Sequence, residues 1–399
     1  MKMLAKDIKF DCRYFDGSKP CQFKTLCKGC NCYQPEGKRI LIIKLASVGD
    51  VLRTTVLLPA LKEKYPQSYV TWLVKEPAQE LLETNPHIGR VLVYCLESVL
   101  LLQVEKFDLV ISLDKAVEAV SLASLIAAKE KYGFGLNKQG KIYPFNREAE
   151  YSFTIGLDDE LKFFKNKKTY QEMIFEVVKL GYDNDEYELK LAREEFDFAD
   201  RFFKENNLTS DDVIIGINTG AGKIFANKNL GSTQIVELIE LLDKKIKAKI
   251  LLLGGPAEKE LNERVVKEAG CEIVNSGGRH SLKQFSALVN KCAIVITADT
   301  LCLHIAIALR RPVVALFGPT CHQEIDLYDR GCKILAEIDC APCYKLSCEK
   351  HPNCMDRIKP EDIVKAAKDL IQEMQNECAK MQNRIREKET RIILKVNKA

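Results

Sequence analysis

The 399-residue sequence lacks any apolar run long enough to cross a membrane. A membrane-spanning helix needs about 18 or more mostly apolar residues, and the most apolar stretch, residues 91–104, is interrupted by Glu97. The first twelve residues are polar and lack the apolar core of a secretory signal. These absences predict a cytoplasmic protein without a membrane span.

The body of the chain also lacks an excess of positive charge. The total net charge is +4, but residues 1–32 and 375–399 each carry seven Lys or Arg against three Asp or Glu. The remaining residues, 33–374, therefore carry a net charge of −4, which argues against nucleic acid as a partner. We expect the basic ends to be solvated segments, with contact to an anionic inner-membrane or glycolipid surface as the alternative.

Cysteine, by contrast, is abundant, with sixteen residues in two groups and seven scattered positions. Without a secretory signal, metal binding or reduced core thiols are favoured over disulfides. The groups are Cys12, Cys21, Cys27, Cys30 and Cys32 near the start, and Cys340, Cys343, Cys348 and Cys354 near the end. Four thiols at such short spacings predict a structural zinc or iron site in each group, with unligated thiols as the alternative.

Apolar strand patterns alternate with helical patterns over residues 39–113, and the alternation restarts at residue 213. This order is typical of parallel α/β sheets. We predict a cysteine-rich segment at 1–37, one α/β domain at 38–200, a second at 201–375 that includes the cysteines of 340–354, and a basic tail at 376–399.

Four strand ends carry polar residues suited to ligand binding, because open α/β sheets bind ligands beyond the carboxyl ends of their strands. Asp50, in KLASVGD (44–50), is either a helix N-cap or a general base. Lys228 is either a diphosphate contact or a solvated lysine, and Glu258 either a ribose ligand or a helix-start carboxylate. Thr300 can open a phosphate-binding helix, whereas His304 alone is more typical of a core histidine.

Together these motifs resemble glycosyltransferase family nine, the ADP-heptose:lipopolysaccharide heptosyltransferases. The resemblance covers roughly residues 38–375 and is carried by the segments KRILIIKLASVGDVLRTTVLLPALKEKYP (38–66), TWLV (71–74), NPHIGRVL (85–92), INTGAGK with NKNL (217–230), LLLGGPAE (251–258) and ITADTLCLHIAIALRRPVVALFGPT (296–320). It implies the GT-B fold, in which two Rossmann-like domains face a cleft, the first taking the acceptor and the second the nucleotide sugar.

The resemblance also implies roles for single residues. Asp50 matches the family's catalytic base, Lys228 the lysine that contacts the donor diphosphate, and Glu258 the carboxylate that binds the donor ribose. Asp299, Thr300 and His304 match the donor-site motif. The implied reaction is inverting transfer from an ADP-sugar to a lipopolysaccharide-core, glycan or protein hydroxyl, with no catalytic divalent metal.

The sequence departs from the family pattern at three positions. Asn229 and Leu230 stand where many members have Arg or His followed by Trp, and Leu301 stands where the family has glycine. These departures leave a non-catalytic, metal-stapled binding protein as the alternative function. Relatives that glycosylate autotransporters carry a four-cysteine iron motif near this end, so the resemblance favours iron at 340–354.

Overall fold

The computed structural model describes residues 5–209, 211–222, 225, 227–376 and 380. The predicted basic tail at 376–399 therefore lies outside the described residues, except for positions 376 and 380. In the part of the chain that is described, no helix is both long enough and apolar enough to span a bilayer.

The chain divides into two compact units. Unit 1 comprises Met1–Ala192 with Gln323–Asp326, and unit 2 comprises Arg193–His322 with Leu327–Ala399. The division between the units falls after Ala192, eight residues before the predicted boundary at residue 200. Residue 200 lies within an amphipathic helix, Arg193–Glu205, whose partners are in unit 2.

The sheet of unit 1 has six strands: β1 (Arg39–Ile43), β2 (Tyr69–Val74), β3 (Arg90–Val93), β4 (Lys106–Ser112), β5 (Ala127–Leu136) and β6 (Ile142–Pro144). Their order is β3-β2-β1-β4-β5-β6, parallel throughout except that β6 runs antiparallel to β5. Residues 40–43 of the central strand are completely buried, as expected for a parallel strand covered on both faces.

The helices of unit 1 are α1 (Val48–Thr54), α2 (Leu57–Lys64), α3 (Gln79–Leu82), α4 (Leu96–Val104), α5 (Val117–Leu125), α6 (Glu150–Thr154) and α7 (Tyr170–Val177), with a π-helical turn at Leu161–Lys165. The helical pattern that begins at Val51 in the sequence corresponds to two helices, α1 and α2. Between them the Thr55 hydroxyl donates to Leu52 O at 2.6 Å and accepts from Glu188 N at 2.8 Å.

Residues 5–37 belong to unit 1 and contain little regular structure beyond the 3₁₀ turn Ala5–Asp7. Cys12 and Pro35 form an isolated antiparallel bridge. Gly37 has φ +65°, and a Cβ there would lie 1.8 Å from Gln67 O. Only glycine permits this close approach between the segment and the chain before β2.

The sheet of unit 2 also has six strands: β7 (Ile214–Asn218), β8 (Lys249–Leu253), β9 (Ile273–Asn275), β10 (Ile294–Ala298), β11 (Val313–Phe317) and β12 (Gly331–Leu335). Their order is β12-β11-β10-β7-β8-β9, and all of them are parallel. Counted from the first strand of its own unit, each sheet follows the order 3-2-1-4-5-6, that of the Rossmann fold. The predicted pair of Rossmann-like domains is confirmed.

The helices of unit 2 are α8 (Arg193–Glu205), α9 (Ser232–Ile246), α10 (Lys259–Glu268), α11 (Leu282–Lys291), α12 (Leu301–Ala308) and α13 (residues 360–376). Helix α8 packs on α11. Helix α13 buries Ile363, Val364 and Ala367 in the same apolar core as strands β7, β8 and β10.

The strand order places one topological switch point in each unit, between β1 and β4 and between β7 and β10. In doubly wound sheets, ligands bind just beyond the carboxyl ends of the strands at this point. Asp50 follows β1, and Asp299 follows β10. Each unit thus presents predicted site residues at the position where its fold favours a ligand.

Candidate active site

Asp50 lies in the first turn of α1, beyond the carboxyl end of β1. Ser47 is the N-cap of this helix, and its backbone N–H and hydroxyl both donate to Asp50 Oδ2 at 3.2 Å. Asp50 is therefore not the N-cap residue itself. It is the third residue of the helix, and its carboxylate accepts hydrogen bonds from the N-cap residue in a capping box. Its side chain is 31% exposed, so this structural contact leaves it accessible.

Two cations flank the Asp50 carboxylate. Arg53 Nη2 lies 2.8 Å from Asp50 Oδ1, and Lys44 Nζ lies 3.9 Å from Oδ2. The Arg53 guanidinium sits over the Tyr170 ring, 3.7 Å from its centroid. Burial alone would lower the pKa of Arg53, but nearby negative charge, above all that of Asp50, outweighs burial and holds that pKa above its usual range. Arg53 thus stays charged and favours Asp50 as a carboxylate.

A second carboxylate fastens the loop that carries Asp50. Asp114, just beyond β4, accepts from Leu45 N at 2.7 Å and lies 3.3 Å from Lys44 Nζ. Burial would lower the pKa of Lys44, but Tyr170, Asp50 and Asp114 raise it above its usual range. Lys44 therefore remains an ammonium that bridges the two carboxylates across the switch point between β1 and β4.

In unit 2, three predicted residues form a row. Lys228 Nζ lies 3.6 Å from Asp299 Oδ2, and His304 Nε2 lies 4.0 Å from Asp299 Oδ1. Lys228 and Asp299 have 14% and 18% of their side chains exposed, whereas His304 is buried. The row ends on Lys228, whose ammonium is the partly exposed cation of the row.

Thr300 lies beside this row as the N-cap residue of α12. Its Oγ1 lies 3.0 Å from Thr297 Oγ1 and accepts from Asn218 Nδ2 at 3.2 Å. Leu301 is the first residue of α12 and has ordinary helical backbone. The position therefore requires no glycine for its conformation, and it still presents a backbone amide at the helix N-terminus, where phosphates bind.

The other departures from the family pattern face the interior of unit 2. Asn229 Nδ2 donates to Thr219 O at 2.6 Å. Leu230 is 8% exposed and belongs to the apolar core. These two side chains anchor the loop that presents Lys228, and neither of them competes with Lys228 for a ligand.

Glu258 lies at the end of the short 3₁₀ turn Pro256–Glu258, after β8. Its Oε2 accepts from Gly255 N at 2.9 Å, so it caps the turn as the structural interpretation predicts. A Cβ on Gly220 would lie 2.8 Å from Glu258 Cδ. The absence of a side chain at Gly220, after β7, therefore lets the backbone approach this carboxylate.

Comparison with known proteins gives this geometry a context. The family model described as glycosyltransferase family 9 (heptosyltransferase) matches residues 101–353, well over half of the chain. The chain belongs to this family. It is therefore a glycosyltransferase, and the predicted family resemblance is confirmed.

The chain is also similar to individual proteins. Lipopolysaccharide core heptosyltransferase OpsX of Haemophilus influenzae is 25% identical over 295 residues, covering 70% of this chain and 79% of that protein. The crystal structure of a family 9 glycosyl transferase from Veillonella parvula superposes with a TM-score of 0.71 at 23% identity, covering 84% and 98% of the two chains. Escherichia coli heptosyltransferase WaaC with ADP gives a TM-score of 0.53 at 18% identity, covering 85% and 98%.

The four later cysteines of this glycosyltransferase share one location. Cys340, Cys343, Cys348 and Cys354 all line a solvent-open cavity of about 330 Å³, together with the backbone at Asn227. All four are free cysteines. Among the described residues, however, no three His, Cys, Asp or Glu side chains stand in the arrangement of a metal-ligand set. A metal at this location therefore stays a prediction.

The five N-terminal cysteines lie in the irregular segment of unit 1. Cys12, Cys21, Cys27 and Cys30 are partly exposed and Cys32 is exposed. Cys30 N donates to Cys27 O at 3.2 Å, which makes a turn between these two residues. A metal site in this segment also stays a prediction.

Sequence reasoning missed four residues around Asp50, namely Lys44, Arg53, Asp114 and Tyr170. Asp114 had a usable signal, because it stands just after an apolar strand pattern at residues 107–113, where ligand-facing residues collect. Tyr170 had none, since only the tertiary fold brings α7 against α1.

Proposed function

We propose that this glycosyltransferase moves a heptose from ADP-heptose to a hydroxyl of lipopolysaccharide core, with inversion at the anomeric carbon. The observation that carries the proposal is the row Lys228–Asp299–His304 beside the N-terminus of α12, which suits a sugar diphosphate. Lipopolysaccharide core as acceptor is supported by the similarity to OpsX, and ADP by the shared fold with WaaC, whose structure holds ADP.

Asp50 is the proposed general base. Its carboxylate takes the proton from the acceptor hydroxyl as that oxygen attacks the anomeric carbon of the donor. The new carbon–oxygen bond forms on the face opposite the leaving group, and the bond to the diphosphate breaks with its electron pair on ADP. A single carboxylate suffices, unlike the pair that glycosidases use.

Unit 2 is proposed to hold the donor and stabilise the departing ADP. Lys228 and the first amides of α12, beside Thr300, place positive charge where the diphosphate gains negative charge. Glu258 is proposed to accept hydrogen bonds from the ribose hydroxyls. These groups supply the charge stabilisation without a divalent metal. Because nucleotide sugars are made in the cytoplasm, we place the reaction there.

The test of this function is thermal unfolding of the full chain with ADP, UDP, GDP or CMP. We expect stabilisation by ADP alone, by about 2.7 kcal/mol at roughly 100 times its dissociation constant. Stabilisation by UDP or GDP instead would keep the transferase but change its donor. No stabilisation by any of the four would favour the non-catalytic binding protein.

We also propose that Cys340, Cys343, Cys348 and Cys354 hold a structural zinc or iron ion. The support is that the four cysteines share one cavity, which Lys345 and Lys350 also line. Thiolates are the ligands that both metals prefer. The N-terminal cysteines are proposed as a second site on spacing alone.

Metal analysis of protein purified under reducing conditions tests both sites. We expect about one equivalent of zinc or iron to be lost when Cys343 and Cys348 are both replaced by Ser. Replacing Cys27 and Cys30 together tests the N-terminal site in the same way, and Cys271→Ser, outside both groups, is the control. Wild-type protein without zinc or iron would refute both proposals.

A further inference from the structure

The segment that carries the four later cysteines is docked on the carboxyl end of β11. The backbone N–H groups of Cys343 and Tyr344 both donate to Pro319 O, at 3.0 and 2.9 Å. The Tyr344 hydroxyl accepts from Cys321 N at 3.1 Å. A Cβ on Gly318 would lie 2.8 Å from Cys354 Sγ, so the later part of the segment also packs against this strand end.

The same segment contacts the loop that presents Lys228. The ring of Tyr344 meets the ring of Phe225 edge-on, with centroids 5.3 Å apart and an interplanar angle of 88°. The Lys228 ammonium lies 5.7 Å from the centroid of that same Phe225 ring. In addition, the Cys354 thiol donates to Asn227 O at 3.8 Å. Phe225 and Asn227, which both precede Lys228, are thus contacted by the cysteine segment.

We infer that Tyr344 is a positioning residue for Lys228, acting through Phe225, so that the cysteine segment sets the affinity for the donor diphosphate. This inference rests on the proposed role of Lys228 in donor binding. The T-shaped contact with Tyr344 holds the Phe225 ring, and that ring attracts the ammonium. A flexible lysine that is already oriented loses less conformational freedom when the ligand binds.

The contact with Phe225 also limits how strongly the Asp299 carboxylate holds the Lys228 ammonium. Lys228 lies between the Phe225 ring and the Asp299 carboxylate, which is 3.6 Å away. If the ring moves, the ammonium loses this contact and keeps its ion pair with Asp299. An ammonium committed to Asp299 offers less of its charge to a diphosphate, so loss of the Tyr344 contact weakens nucleotide binding without touching the nucleotide.

The experiment is calorimetric titration of the full chain with ADP. We expect Tyr344→Ala to weaken ADP binding about fivefold or more, and Tyr344→Phe, which keeps the ring, to bind as wild type does. If the Tyr344→Ala protein fails to fold, Phe225→Leu takes its place and is expected to show the same loss of ADP affinity. Tyr143→Ala, in β6 of unit 1, is the control and should leave the ADP affinity unchanged.

Steady-state kinetics and metal content separate positioning from general damage. For Tyr344→Ala we expect a higher KM for the donor, an unchanged KM for the acceptor and the metal content of the wild type. Wild-type affinity for ADP in both Tyr344→Ala and Phe225→Leu, with Lys228→Met clearly weakened, would overturn the inference and leave the proposed function standing. Wild-type protein that does not bind ADP would instead refute the proposed donor.

Discussion

Replacing Asp50 with Asn is expected to lower the turnover number by about 10³-fold, within the range that general-base removal gives. The amide has nearly the same shape and can still accept a hydrogen bond from Ser47 N, but it cannot take a proton from the acceptor. Because Asp50 is not among the proposed donor-binding groups, affinity for ADP should stay within about twofold of the wild type. Radiolabelled sugar transfer and ADP titration measure the two quantities.

Asp114→Asn is the matched control, since it makes the same change in the neighbouring carboxylate. It removes the nearer charge from Lys44 but leaves an acceptor for Leu45 N, so we expect a turnover loss of about tenfold at most. The Asp50→Asn variant leaves Arg53 without its carboxylate and should unfold more easily by about 1–3 kcal/mol, which melting curves will show. Equal losses in both variants would mean that the carboxylates only shape the loop.

Most of the strands that sequence alone predicted are buried on both faces, although the partly buried edge strand β3 was predicted too. β1, β8 and β11 read as unbroken apolar runs because parallel central strands meet helices on each side. β12 and β5 were missed because they carry mixed residues. β12 lies at the edge of its sheet and is only partly buried. β5 is exposed or partly exposed over its first five residues and contains two glycines, Gly133 and Gly135, in its second half.

The candidate site shows a similar division. Asp50, Asp299 and Thr300 were predictable because each directly follows an apolar strand, and strand ends converge at one edge of a sheet. The side-chain contacts that position these residues were not predictable from the sequence. Arg53 reads as an ordinary helix-surface residue, yet it is largely buried over Tyr170, whose position no local pattern reveals.

The departures from the family pattern also needed the fold for their interpretation. Leu301 suggested altered donor binding only as long as its position required a glycine conformation. The structure puts it in the first turn of α12, where any residue presents the same amide. The strongest sequence argument for a non-catalytic protein therefore loses its physical basis.

Replacing Lys228 with Met is expected to lower kcat/KM for the donor by about 10²-fold, because one charge contact to the departing diphosphate is lost. The methionine keeps the apolar stem but removes the ammonium. Asp299 then faces the diphosphate without its cation, and its negative charge adds repulsion. Lys259→Met, an exposed lysine on α10, is the control and should change nothing.

The double variant Lys228→Met with Asp299→Asn decides between two explanations of that loss. If Lys228 acts by its charge, removing the opposing carboxylate should restore part of the donor affinity, about fivefold, and the two substitutions will not be additive. If Lys228 only shapes its loop, the second substitution adds a further loss, because Asp299 also faces His304. A double variant that is weaker than Lys228→Met alone would therefore remove Lys228 from the proposed diphosphate site.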